Sequence, residues 1–155
     1  KMYFTPIYRY IYFRVKTRED AEDLTQTVFL KAYKSIPGLQ KITDRPLAYF
    51  FTVARNTVID HWRKKKEILA EENFFDKIQA NEPGPQEITE RAETGEGIRR
   101  AIRQLTEEQQ EVIILKFINE LSNQEISQLL NKSEDAIRQL QCRALKKMKE
   151  IFYEQ

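Results

Sequence analysis

Apolar positions along this chain recur at intervals of three and four rather than two, the spacing of helices with one buried stripe. At about 100° per residue, Leu47, Phe50, Phe51, Ala54, Val58 and Trp62 share one face of a helix predicted over Pro46 to Lys66. Ala21, Leu24, Val28 and Ala32 do the same over Asp20 to Ile36, and Ile137, Leu140, Ala144, Met148 and Ile151 over Glu134 to Phe152. Shorter helices are expected near Pro6 to Lys16, Ile98 to Leu105, Glu107 to Phe117 and Asn123 to Leu130. Thr17 before Asp20, Thr106 before Gln109 and Ser122 before Glu125 have the spacing at which a hydroxyl and a side-chain carbonyl satisfy each other's orphan amides. Asp44 followed by Pro46 marks another start, and no stretch alternates as a strand would.

The periodicity weakens between Glu67 and Glu96, where Pro83-Gly84-Pro85 cannot continue a helix. The expected organisation is therefore all-α: two small helical domains, 1–66 and 97–155, joined by an acidic flexible linker over 67–96. About thirty flexible residues give a root-mean-square reach near ~30 Å and an extended reach of roughly ~100 Å. In the second domain the short helix Asn123 to Leu130 leads through Asn131-Lys132-Ser133 into the long helix from Glu134. Asn131 suits a left-handed turn and Ser133 a helix cap. Short helix, tight turn and longer basic helix is the helix-turn-helix plan, in which the second helix enters the major groove.

Composition agrees with this picture and narrows it. The 155 residues are 41% hydrophobic and 32% charged, with four Gly and five Pro, which suits small helical cores rather than a turn-rich β fold. No apolar run has the length of a bilayer span and no segment has the layout of a signal peptide, so a cytoplasmic protein without membrane insertion is expected. Cys142 and His61 are each the sole residue of their type, which leaves no cysteine pair and no cysteine zinc site. No metal, no cofactor and no catalytic residues are expected, and an enzyme is disfavoured because no set of nucleophile, base and acid can be assembled.

The net charge of +2 hides a strong segregation. Arg45, Arg55, Arg63, Lys64, Lys65 and Lys66 face only Asp60, the linker is acidic, and the balance from Lys132 to Lys149 is basic again. Opposite the buried stripe of the last helix stand Asp135, Gln139, Cys142, Lys146 and Lys149, with Arg138 and Arg143 on the flanks. Arg and Gln can read base edges bidentately while Lys reaches phosphate. On the helix from Pro46, the outer face carries Tyr49, Thr52, Asn56, Asp60 and Arg63, an aromatic, an amide and cations suited to unstacked bases and their backbone. The helix from Asp20 differs, since its outer face shows Asp23, Gln26, Thr27, Leu30 and Lys34, with Phe29 and Tyr33 flanking Leu30. An apolar patch rimmed by acids fits a protein partner better than DNA.

Taken together, three segments carry a specific resemblance. Asp20-Ala-Glu-Asp-Leu-Thr-Gln-Thr-Val-Phe-Leu-Lys-Ala-Tyr33 resembles the core-polymerase-binding helix of bacterial sigma factors. Val53-Ala-Arg-Asn-Thr-Val-Ile-Asp-His-Trp-Arg63 is similar to the promoter-melting helix of that family. Leu105 to Val112, Leu121 to Ser127 and Ala136 to Ala144 resemble its upstream-element reader. They occur in family order and cover most of the chain outside the linker, and the lack of other sigma domains points to the extracytoplasmic-function class of the sigma-70 family.

The resemblance implies that 1–66 is sigma region 2 and 97–155 sigma region 4, and it implies roles for matching positions. Asp20, Asp23, Leu24, Gln26, Thr27 and Leu30 would bind core RNA polymerase. Tyr49, Thr52, Asn56, Arg63, Lys64 and Lys65 would meet the downstream promoter element as a single strand, with the loop Pro37 to Arg45 helping to hold a flipped base. Ser133, Arg138, Gln139, Cys142, Arg143 and Lys146 would face the upstream element as duplex. An anti-sigma factor is an implied further partner. Gln40-Lys-Ile-Thr43 departs from the loop usual in relatives, Tyr49 stands where Trp is common, and Leu140 replaces a frequent Arg on what is here the core stripe. The alternative, a stand-alone helix-turn-helix regulator, would leave the Asp23 to Leu30 face unexplained.

Overall fold

The computed structural model describes residues 3–35, 46–71 and 95–153, and among them every regular element is helical. The N-terminal unit holds α1 (Phe4–Tyr12), α2 (Arg18–Lys34) and α3 (Pro46–Glu71). The C-terminal unit holds α4 (Gly95–Arg103), α5 (Glu107–Ile113), a π-helical turn (Ile114–Ile118), α6 (Asn123–Leu130) and α7 (Glu134–Tyr153). The all-α expectation is borne out. Asp44 and the loop Pro37 to Arg45 lie outside the described residues.

The starts follow the expected chemistry. Thr106 with Gln109 and Ser122 with Glu125 each close both bonds of a capping box. Thr17 accepts the Asp20 amide at 3.0 Å, but the Asp20 carboxylate turns instead toward His61 and Lys65 on α3. Asn131 takes φ 57°, the left-handed conformation that a short polar side chain tolerates, and Ser133 Oγ accepts the Ala136 amide at 3.1 Å.

Several helix ends differ from the periodic reading, among them both ends of α4, which spans Gly95–Arg103 instead of Ile98 to Leu105. Helix α1 begins at Phe4, with Pro6 in the first turn where no intrahelical donor is lost, and stops at Tyr12. Beyond it the chain turns both Arg14 and Val15 inward, which a continuing one-sided helix would not do. Helix α3 runs to Glu71, past Lys66. Helix α5 loosens after Ile113: the Asn119 amide reaches back five residues to Ile114 O at 2.9 Å and Leu121 reaches Leu115 O at 2.9 Å. The consecutive residues Gln110 to Leu115 are all buried, because α5 is covered by α7 and α4 and, at Glu111, by the N-terminal unit.

Helices α2 and α3 pack along one another with α1 across them, and α7 packs on α5 and α6. The buried stripes are those expected, including Ala21, Val28, Ala32, Phe51, Ala54, Val58, Ile137 and Ala144. Burying a Leu, Ile or Phe side chain contributes about 1.5–3 kcal/mol. The stripes also contain polar members whose hydrogen bonds stay local: Thr25 Oγ1 donates to Ala21 O at 2.6 Å and Thr57 Oγ1 to Val53 O at 2.7 Å. Gln141 Nε2 donates to Asn123 Oδ1 at 2.8 Å, which locks the two helices of the helix-turn-helix together.

The two units also touch, through α1 and α3 on one side and α4, α5, the π turn and α6 on the other. Arg99 is buried there, donating from Nε to Tyr12 O and from Nη2 to Val15 O, each at 2.7 Å, with its guanidinium 4.0 Å from the Tyr12 ring centre. The Tyr12 hydroxyl donates to Glu96 Oε1 at 2.9 Å and Asn119 Nδ2 to Pro6 O at 2.9 Å. The junction is thus rich in polar and charged groups, although apolar side chains of both units form one continuous core beneath it.

Candidate nucleic-acid interface

The last helix presents to solvent the face expected to meet DNA. With Ile137 and Ala144 fully buried, the rotation of α7 is fixed, and Arg138, Gln139, Cys142, Arg143 and Lys146 all emerge exposed on the far side. Ser133 is exposed as well, with its hydroxyl oxygen engaged as the helix cap. Arg138 pairs with Asp135 one turn earlier, so its guanidinium is oriented along the helix surface. Lys132 in the turn holds Glu108 of α5 at 2.6 Å, and that hydrogen bond keeps the Glu108 carboxyl below its ordinary value. Leu140 is half-buried against the core, as its place on the apolar stripe requires.

Helix α3 offers a different surface. Thr52, Asn56, Arg63 and Lys64 are exposed, while Tyr49 is half-buried with its ring edge-on to Phe50 at a centroid distance of 6.1 Å. Thr52 Oγ1 donates to Ala48 O at 3.1 Å. Arg63 lies 3.8 Å from Asp60, and Lys65 is partly covered, 3.9 Å from Asp20. Beside this face opens a cleft of about 430 Å³ lined by Lys31, Lys34, Ser35, Tyr49, Val53 and Asn56. Lys31 is steadied by donating from Nζ to Thr57 Oγ1 at 3.2 Å.

Lys31 and Lys34 are the residues the periodic reading missed at this cleft. Periodicity sets Lys34 on the outer face of α2 and gives Lys31 no role. Both lie at the end of α2 where it crosses α3, and only the crossing brings them beside Asn56. Their spacing of three residues on one helix would have flagged a shared face, but not the neighbour it faces.

The outer surface of α2 carries Asp23, Gln26 and Leu30, all exposed. Leu30 is 62% and Tyr33 70% exposed, which makes an apolar patch, with Asp23 two turns before Leu30 on the same helix. Leu24 is half-buried against the core and Thr27 donates to Asp23 O at 3.0 Å. Asp20 alone of this set faces α3. Phe29, which had been placed beside Leu30 as part of the patch, instead stacks on Phe4 at 5.9 Å and tilts against Phe50 at 5.1 Å.

Among the described residues no group of His, Cys, Asp and Glu could hold a metal ion, and no helix is long and apolar enough to cross a membrane.

Comparison with known proteins identifies what this chain is similar to. Residues 1–68 match the family profile of Sigma-70 region 2, and residues 96–148 that of Sigma-70, region 4. BldN, an ECF RNA polymerase sigma factor of Streptomyces coelicolor, is 34% identical over 153 residues, covering 97% of this chain and 57% of BldN. The chain therefore spans little more than half of that relative. SigW, an ECF RNA polymerase sigma factor of Bacillus subtilis, is 30% identical over 139 residues, covering 84% of this chain and 74% of SigW. Among solved structures, the sigma factor RpoE of Bartonella quintana in complex with the anti-sigma factor NepR superposes with a TM-score of 0.75 over 99% of this chain and 92% of RpoE. At 17% identity that likeness is one of fold.

Proposed function

The chain belongs to the sigma-70 family of RNA polymerase sigma factors, in its ECF class, and from that membership we propose that it directs core RNA polymerase to particular promoters and initiates transcription there. Region 2 is assigned to 1–66 and region 4 to 97–155, joined by the acidic linker. In this reading α2 docks on polymerase through Asp23, Leu24, Gln26, Thr27 and Leu30, with Asp20 anchoring the start of the helix. Helix α7 reads the upstream element as duplex through Arg138, Gln139, Cys142 and Arg143, with Ser133 and Lys146 near phosphates. Helix α3 receives the downstream element as a separated strand on Tyr49, Thr52, Asn56, Arg63, Lys64 and Lys65.

The observation that carries the reading is the cleft beside Asn56, open to solvent, walled by Tyr49 and flanked by Lys31 and Lys34. It offers an aromatic, an amide and two cations in a volume that a base can enter. Unstacking a base costs a few kcal/mol, while each base stacked on an aromatic recovers about 1–3 kcal/mol, with phosphate contacts adding to it. Strand separation is thereby driven by binding, and the chain itself makes and breaks no covalent bond. An anti-sigma factor is a proposed partner, as one is for the structurally similar RpoE.

The test is polymerase capture by a variant carrying Asp23→Arg with Leu30→Ala. Both positions are exposed, so helicity and thermal unfolding should stay as in wild type while association with core polymerase is lost. Wild-type capture by that variant would remove α2 from the docking role.

A further inference from the structure

Two guanidinium groups of region 2 converge on one carboxylate that region 4 supplies. Arg55 Nε donates to Glu111 Oε2 at 2.7 Å, and Arg14 Nη1 lies 3.9 Å from Glu111 Oε1. Arg14 is fully buried, lies 4.6 Å from the Trp62 ring centre, and donates from Nη1 to the Tyr10 hydroxyl at 2.8 Å. Its Nε and Nη2 have no hydrogen-bond partner. Burial pushes the Tyr10 phenol up to about 12, so it stays neutral and does not compete as an anion.

A buried guanidinium with two unmet donors is costly, and a second guanidinium aimed at the same oxyanion raises the cost unless an anion lies between them. Glu111 is that anion in the closed chain. Yet it belongs to the other unit, which is held at the junction by the Arg99, Tyr12 and Asn119 hydrogen bonds and the shared apolar core and which, once these contacts open, the connecting segment keeps at an effective concentration on the order of millimolar. An oxyanion that reaches both guanidinium groups can take its place, and exchanging one anion for another spares the buried Arg14 from being left bare, while the partly exposed Arg55 keeps access to water.

We infer that Arg14 and Arg55 form an anion site on region 2, filled in the closed chain by Glu111, that takes a backbone phosphate of a separated DNA strand when region 4 withdraws. Phosphodiester is favoured because Arg55 lies one turn from the exposed Thr52 and round α3 from the cleft-lining stripe of Tyr49, Val53 and Asn56, so that a strand leaving the cleft across the helix passes it. A strand crossing that helix would bring its backbone within reach of Arg55. A guanidinium fork also matches a tetrahedral oxyanion better than a point charge does. The inference rests on the promoter reading and adds to it a competition: region 4 and the strand cannot hold the pair at once.

The experiment measures anisotropy of a labelled single strand of mixed sequence titrated with the full chain at several salt concentrations. Glu111→Gln keeps the shape of the side chain and removes the competing charge. It should bind the strand roughly tenfold more tightly, the size expected when a charge-assisted hydrogen bond no longer competes. Its log K against log salt should steepen by about one. Arg99→Ala loosens the junction without touching Glu111, through the lost bonds to the Tyr12 and Val15 carbonyls, and should give a gain of the same sign. Adding Arg55→Gln to either variant should abolish the gain. Circular dichroism checks folding, and two independent releasing variants keep the test alive if one is unstable. Gains that survive Arg55→Gln, or no gain in either folded variant, overturn the inference. So does tighter polymerase capture by Glu111→Gln without tighter strand binding, which would assign the pair to an acidic protein surface. Wild-type binding to upstream duplex, measured alongside, reports on the promoter reading separately.

Discussion

His61 sits on α3 among the residues that join region 2's two long helices, with Asp20 Oδ2 3.8 Å away and Lys65 reaching the same carboxylate. Burial lowers the imidazole below its ordinary 6.5; the Asp20 charge opposes this and the Lys65 charge reinforces it. The unfolded chain therefore takes up a proton at higher pH than the folded chain does. That contribution to stability is intact above 6.5 and is lost as pH falls through the folded value. The melting temperature of wild type should drop on acidification below 6.5 more steeply than that of His61→Gln; parallel curves would show that folding does not sense this imidazole. The same neighbourhood explains why the half-buried Asp20, expected on a docking face, points toward α3. A carboxylate at the start of α2 could accept the Thr17 backbone amide or turn to two basic groups on α3, and it takes the latter.

At the scale of the element, the helix-turn-helix combines local and packed determinants. Asn131 and Ser133 set the turn and the start of α7, while Gln141 and Asn123 fix the angle between α6 and α7 through a bond that spans 18 residues. The exposed face that results separates two kinds of contact. Gln139→Ala should relax sequence preference for the upstream element, because an amide's paired donor and acceptor distinguish base edges. Lys146→Ala should weaken binding to specific and scrambled duplex alike and lower the salt slope by about one, as loss of a single phosphate contact does. Equal losses on both duplexes for Gln139→Ala would remove it from the reading set. Arg138, tied to Asp135, has to exchange that partner for a base edge, which makes its net contribution smaller than its charge suggests.

Across the whole molecule, the two units share a junction and a tether, and the proposed promoter binding would ask them to work at a distance. Residues 72–94 extended cover roughly ~75 Å, whereas half that length covers barely one turn of duplex. Deleting about half of the segment should leave each isolated element bound as before and sharply reduce the gain from having both on one DNA, measured by comparing one-element and two-element probes. An unchanged gain would mean that the segment does not set the reach. Much of this architecture was legible in the chain itself. The helices, the caps at Thr106 and Ser122, the left-handed Asn131 and the exposed face of α7 all follow from periodicity and from bonds between residues three or four apart. The sequence alone also determined the family, because the motifs of α2, α3 and α7 are contiguous strings. Only the tertiary structure decided that Lys31 and Lys34 wall the cleft at Asn56, that Arg99 satisfies carbonyls 84 and 87 residues away, and that Glu111 meets Arg55 across 56 residues. The physical reason is that periodicity states which side of a helix is buried and says nothing of what buries it. A charged residue destined for a domain junction carries the same local signal as one destined for water.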